Sequence, residues 1–182
     1  MKQFVYRVDA QDRIQHMDSV WLAFALENGA SSLTERLVKG TSLWDHIEDA
    51  STRHLYQIIL ARVRETGRPV TIPFRCDHPE RRRFMVLGVL PQPDRSLEFK
   101  SYLLREEPTE RVGLLDASMP RTTELLRMCC WCKKVDTGEA GWQEPVKAVR
   151  LLKLFDTPAV PLISHVACPA CEADVLGRLD GI

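Results

Sequence analysis

The chain has 182 residues, 45% of them hydrophobic, and its 25 basic side chains balance 25 acidic ones. That is enough chain for one good core plus a small stapled appendage, but not for two large domains. Balanced charge excludes a global field that would recruit nucleic acid or an anionic membrane.

The opening Met1-Lys2-Gln3-Phe4 runs straight into strand-like sequence without the apolar stretch of a signal peptide, and no run is long enough to span a bilayer. A cytoplasmic, reducing location with no membrane partner is therefore expected, where the six cysteines stay available for metal. Phe4 to Asp9 and Arg13 to Met17 flank the polar turn Ala10-Gln11-Asp12, a predicted β-hairpin. A helix follows, with Trp21, Leu22, Phe24, Ala25 and Leu26 as its apolar cluster and Asn28-Gly29 as its C-cap pair. Gly40-Thr41-Ser42-Leu43-Trp44 then turns into a short helix that Thr41 or Ser42 can cap. Ser51 or Thr52 opens a longer helix, whose Leu55, Ile58, Ile59 and Val63 keep helical spacing up to the break at Gly67-Arg68-Pro69.

Three strand-like runs close this half: Val70 to Cys76, Arg83 to Leu90 and Leu97 to Leu104. In the first, Ile72, Phe74 and Cys76 alternate with Thr71 and Arg75, as a sheet with one buried face requires. The middle run is apolar on both faces, so it reads as a central strand whose outer face needs a helix, a linker or a second subunit as cover. A homodimer is expected on that ground. Cys76 reads as a small buried hydrophobe.

Residues 108 to 127 read as a connector, because Pro108, Gly113 and Pro120 prevent one continuous helix. Beyond it stand two cysteine pairs, Cys129-x-x-Cys132 and Cys168-x-x-Cys171. Each spacing lets one tight knuckle aim two thiolates at a point, and four such sulfurs make a closed tetrahedral site of the structural zinc type. His165, three residues before Cys168, and Cys130, inside the first knuckle, could each replace one sulfur; the four CxxC cysteines are preferred, then His165 as substitute, with Cys130 a free thiol facing away. Pro145 fits the first turn of a helix running to about Phe155, expected to pack on Trp142 and the knuckles. So small a unit has too little core to stand alone. Zinc loss, or Cys129→Ser or Cys171→Ser, is expected to unfold residues beyond about 120 while the front half stays folded.

Strand, strand, several helices and three strands is the order of a PAS domain. Tyr6-Arg7-Val8-Asp9 with Arg13-Ile14 looks like the opening hairpin of that family, Trp21 with Phe24-Ala25 like its first helix, and Gly40-Thr41-Ser42-Leu43-Trp44 like its G-x-S-x-W turn. Ile72 to Asp77 and Leu97-Glu98-Phe99 look like its later strands, so the resemblance covers about residues 1 to 107. Met128 to Lys134, Gly141-Trp142 with Glu144, and Ser164 to Cys171 are similar to a cysteine-rich C-terminal module of some bacterial signalling proteins. That module usually carries glycine after its histidine, where this chain has Val166.

The resemblance implies an α+β chain: a PAS-like five-stranded antiparallel sheet with helices on one face, then a small zinc-ribbon-like subdomain. The divisions are 1–107 for the sensor, 108–127 for the connector and 128–182 for the cysteine-rich part. It further implies a bacterial sensory or signal-transduction protein that recognises a small molecule or protein partner between sheet and helices. Heme would need a histidine on a cavity-facing helix, for which His54 is better placed than His16 or His46; Trp21 and Trp44 either line a cofactor cavity or belong to the core. A flavin photoreceptor of the cysteinyl type is disfavoured, because its asparagine-cysteine-arginine-phenylalanine signature is missing.

No phosphate loop, nucleophile elbow or H-E-x-x-H is present in the sequence, so a non-enzymatic module is expected. Two other readings stay open. A DNA-binding regulator would need Lys133, Lys134, Lys147, Arg150 and Lys153 on one face. A thiol-based redox sensor would hold its CxxC pairs as metal-free dithiols.

Overall fold

The computed structural model describes residues 3–27, 34–155 and 157–182. The expected cap Asn28-Gly29 lies outside them.

The hairpin forms from β1 (Gln3–Val8) and β2 (Ile14–Met17), with the Asp9 carboxylate accepting the Gln11 and Arg13 N–H groups across its turn. Helix α1 (Ser19–Glu27) starts where the Asp18 carboxylate takes the Trp21 N–H. After the single turn α2 (Glu35–Val38), Ser42 and Asp45 form a reciprocal capping box on a 3-10 turn at Leu43–His46. The long helix α3 (Ala50–Thr66) is capped by Asp49, two residues before Ser51 and three before Thr52: its carboxylate accepts the Thr52 N–H at 2.7 Å. A carboxylate before the first turn satisfies an orphan donor and also meets the positive end of the helix dipole.

Gly67 ends α3 at φ +65°, in the left-handed region where a side chain is strained. Nothing lies within 4 Å of an added Cβ, so only the backbone resists substitution. Gly67→Ala is expected to cost about 1 kcal/mol in urea denaturation.

Three strands complete the first sheet: β3 (Val70–Arg75), β4 (Arg81–Pro91) and β5 (Leu97–Pro108), in the order β2-β1-β5-β4-β3. Every pairing in it is antiparallel. The five-stranded sheet with helices that the resemblance implies is therefore present. Registers such as Val8↔Leu97, Phe99↔Val89 and Val89↔Val70 stack buried side chains on one face. Against it lie Leu55, Ile59, Leu60 and Val63, the apolar stripe of α3. Strand β4 is interior but not the middle of the sheet, and its outward Val86 and Leu90 stay half-exposed. The alternation foreseen for β3 slips at its end: Arg75 is buried, and Cys76, beyond the strand, is half-buried.

The rest of the chain builds a second sheet from β6 (Arg121–Cys129), β7 (Val135–Asp136), β8 (Trp142–Gln143) and β9 (Val160–Val166), in the order β8-β7-β6-β9. Residues 121–127, read from sequence as connector, are most of β6. Val112 and Leu114, just ahead of it, are fully buried with Met128, Val135, Ala148, Val149 and Val160 in a second core. Helix α4 (Pro145–Leu151) ends four residues before Phe155, because Lys153 enters the left-handed region at φ +55°. It packs in that second core, whereas Trp142 and the knuckles pack in the first. The foreseen packing of the helix on Trp142 is thus replaced by a split.

That split joins the two halves. Helix α5 (Pro169–Asp180) lies along the edge strand β3, and its Val175 and Leu179 enter the first core. The Arg75 N–H donates to the Trp131 carbonyl at 2.7 Å, and Arg178 reaches the Thr71 carbonyl. An unpaired sheet edge is thereby closed by the chain's own tail.

Candidate metal centre and ligand cavity

Strand β6 runs parallel to β9 with Cys129 opposite Val166, so the two strands end side by side. Just past each end the chain turns and presents a cysteine pair. In the first turn, Lys133 N–H donates to the Cys129 carbonyl at 3.0 Å and Cys129 N–H to the Lys134 carbonyl at 2.7 Å, with Lys133 at φ +63°. In the second, Cys168 is the N-cap of α5, Pro169 its first residue, and Cys171 sits in its first turn. The four sulfurs of Cys129, Cys132, Cys168 and Cys171 lie within 4.8 Å of one another. The Cys168 N–H donates to Cys129 Sγ at 3.4 Å, and Cys129 and Cys168 are buried.

Electrostatics show what this crowd of sulfurs requires. Hydrogen bonds from the Cys130, Cys132 and Cys171 thiols hold the Cys129 thiol far below its ordinary range. The same contacts push Cys132 up to about 12, and Cys130 and Cys171 further up, since each would ionise beside an existing charge. A thiolate at Cys129 thus makes further ionisation at Cys132 and Cys171 costly. A divalent ion with a preference for sulfur would offset that cost if held by Cys129, Cys132, Cys168 and Cys171.

His165 stands exposed on β9 opposite Met128 and is not part of the four-sulfur group. Neither is Cys130, whose Sγ lies 3.6 Å from Thr52 Oγ1 on α3. Val166 is buried, and its carbonyl takes the Cys130 N–H at 2.8 Å, so a valine fits where the resemblance has glycine.

Beside the first knuckle opens a cavity of about 1150 Å³. Its walls are the buried face of the first sheet, α1, residues 43 and 45–50, the start of α3, and Cys130, Trp131, Lys133 and Ile163 to His165. Trp21 lines it. Trp44 does not: its indole N–H donates to Asp12 at 3.2 Å. His54 is exposed, because Thr52, Leu55 and Ile59 take the buried stripe of α3 and leave residue 54 outside. The position favoured for an axial heme ligand therefore faces away, His16 is exposed on β2, and His46, although at the cavity, is hydrogen-bonded to Thr41 at 2.8 Å. Burial raises the hydroxyl pKa values of Tyr6 and Tyr56, both at the wall, so neither is anionic near neutrality.

Sequence reasoning missed Tyr56, Trp131 and Arg75. Trp131 stacks on Tyr56 at 5.5 Å between ring centroids. Its position inside Cys-Cys-Trp-Cys-Lys was the available signal. Nothing in the strand pattern flags Arg75.

No family model matches the sequence, and no curated protein does. Among solved structures the chain is similar to the PAS domain of Bordetella pertussis BvgS, at 15% identity and a TM-score of 0.39, over 57% of this chain and 74% of that one. It is also similar to an RNA-binding light-oxygen-voltage receptor, at 17% identity and a TM-score of 0.40, over 57% of this chain and 28% of the receptor.

Proposed function

We propose that the chain is a non-enzymatic signalling module in which the cavity of the PAS-like half receives a small molecule or a segment of a partner protein. A structural zinc ion held by Cys129, Cys132, Cys168 and Cys171 stiffens one cavity wall. The single observation that carries this reading is continuity: the knuckle that gathers the sulfurs also supplies Cys130, Trp131 and Lys133 to the cavity. An occupant that shifts this wall would alter the packing of α5 and β9, the elements through which a partner would sense it. The half-exposed Val86, Leu90 and Tyr102 on the outer sheet face suit a second copy of the chain.

Elemental analysis of freshly purified protein is expected to give one zinc per chain with no visible absorbance. A Soret or flavin band would promote a cofactor sensor instead. Metal-free protein with titrating dithiols would favour the redox reading. Because the ligands must lose protons to bind, zinc affinity is expected to fall as pH falls, and release should be followed with a colorimetric chelator. The DNA-binding reading finds less support, since Lys133 lines the cavity and Arg150 pairs with Glu110 at 2.5 Å.

A further inference from the structure

The cavity's chemistry is uneven. Among the described residues seven aromatic rings line it, from Phe4, Tyr6, Trp21, Phe24, Tyr56, Phe74 and Trp131. Tyr6 is itself stacked on Phe99 at 4.3 Å, and Trp131 on Tyr56, whereas Phe24 is tilted against Phe4 and Trp21 meets Tyr6 edge-on, so the rings are held in place and present both faces and edges. A flat aromatic ring packs on such a wall offset-stacked or edge-to-face.

The charged groups differ in whether they are already committed. Arg75 reaches the cavity but is bound to Asp77 and Glu144. Asp45 caps the 3-10 turn and Asp49 caps α3. His46 is held by Thr41, and Glu48 is the acidic group left over. Lys133 is different. It is half-buried, the knuckle fixes its backbone at φ +63°, and its ammonium donates to the Cys130 carbonyl at 3.1 Å. Among the described residues it has no carboxylate within ion-pair distance, and it lines the cavity together with Cys76 and His165.

We infer that the cavity selects a flat aromatic carboxylate, with its ring on the aromatic wall and its carboxylate on the Lys133 ammonium. This rests on the proposed role of the cavity as a binding site and adds the chemical class of its occupant. The same knuckle residue that follows the metal ligand Cys132 thus reads the ligand's charge.

The test uses zinc-loaded full-length chain and calorimetric titration with three probes of one shape: 2-naphthoate, 2-naphthamide and 2-naphthylmethylammonium. A charge-assisted hydrogen bond in a half-buried site favours the carboxylate over the amide by about tenfold. Lys133→Met is expected to remove that advantage while leaving amide binding and zinc content unchanged, and Lys133→Arg to retain it. If Lys133 only balances the thiolate charge, acid and amide bind the wild-type protein alike, and the inference fails. It fails equally if the preference survives in Lys133→Met or if the ammonium probe binds best. In those cases binding itself persists and the cavity reading stands. Failure of all three probes to bind zinc-loaded protein removes the inference and leaves a partner segment as the cavity's occupant.

Discussion

With zinc at the four cysteines as proposed, removing the metal, or replacing Cys168 with serine, should collapse both halves of the chain in one transition. The sequence led to a different expectation, in which residues beyond about 120 unfold and the front half survives. The structure gives the reason for the change. Cys129, Trp131, Cys168, Val175 and Leu179 share one buried cluster with Leu55, Ile59, Ile72 and Phe99. Structural zinc sites bind with an apparent free energy of roughly 10–16 kcal/mol near neutral pH. That rivals the whole stability of a typical domain, about 5–15 kcal/mol. A fall in Tm of more than about 10 °C is expected for Cys168→Ser, since each kcal/mol moves a chain of this size by roughly 2–4 °C. Hydrogen exchange reads out the location. Protection should drop in α3 and β4 together with β6 and β9. Unchanged protection of α3 and β4 in the metal-free chain would show that the front half stands alone after all.

The second large effect is expected at Arg75. Its guanidinium is hydrogen-bonded to both oxygens of Asp77 and, at 2.6 Å, to Glu144, which precedes α4. The side chains of Arg75 and Asp77 are only 11% and 2% exposed, whereas that of Glu144 is 37% exposed. Truncating one member of a buried pair strands the other charge without water, a loss of about 3–5 kcal/mol. Arg75→Met should therefore approach that loss in urea denaturation, because Asp77 is left buried. Glu144→Gln should cost much less, because Asp77 keeps its partner and water screens what remains. Equal effects from the two substitutions would mean that the tie between β3 and α4, rather than the Asp77 charge, dominates. A loss below about 1 kcal/mol for Arg75→Met, the range of exposed pairs, would place the network in effective contact with solvent.

Legibility in the sequence followed the range of the interaction. The hairpin at Phe4 to Met17, the stripe of Leu55, Ile59 and Val63, and the three strands after Pro69 are all visible, since each is written in periodicities of two or 3.6 residues. The capping box at Ser42 was partly visible, through its serine. Helix α5 and strands β6 and β9 were not. Leu125 is 71% exposed and Leu162 42% exposed, so their strands lack the clean alternation that marks one buried face. Arg75 and Asp77 read as ordinary strand-end charges because burial of a charge depends on what arrives from elsewhere in the chain, here Trp131 and Glu144.

The amino acid order by itself determined the elements of the first sheet and the pairing of cysteines into two knuckles, because both are set by spacings of a few residues. Only the tertiary structure decided that β6 and β9 run parallel, that the knuckles share a core with α3, and that Lys133 faces an aromatic cavity. Those outcomes depend on contacts between segments some 35 to 115 residues apart, such as Thr52 with His165 and Cys129 with Cys168. Local spacing carries no record of such meetings, since their free energy arises only when buried surface and hydrogen-bond partners from both segments are brought together.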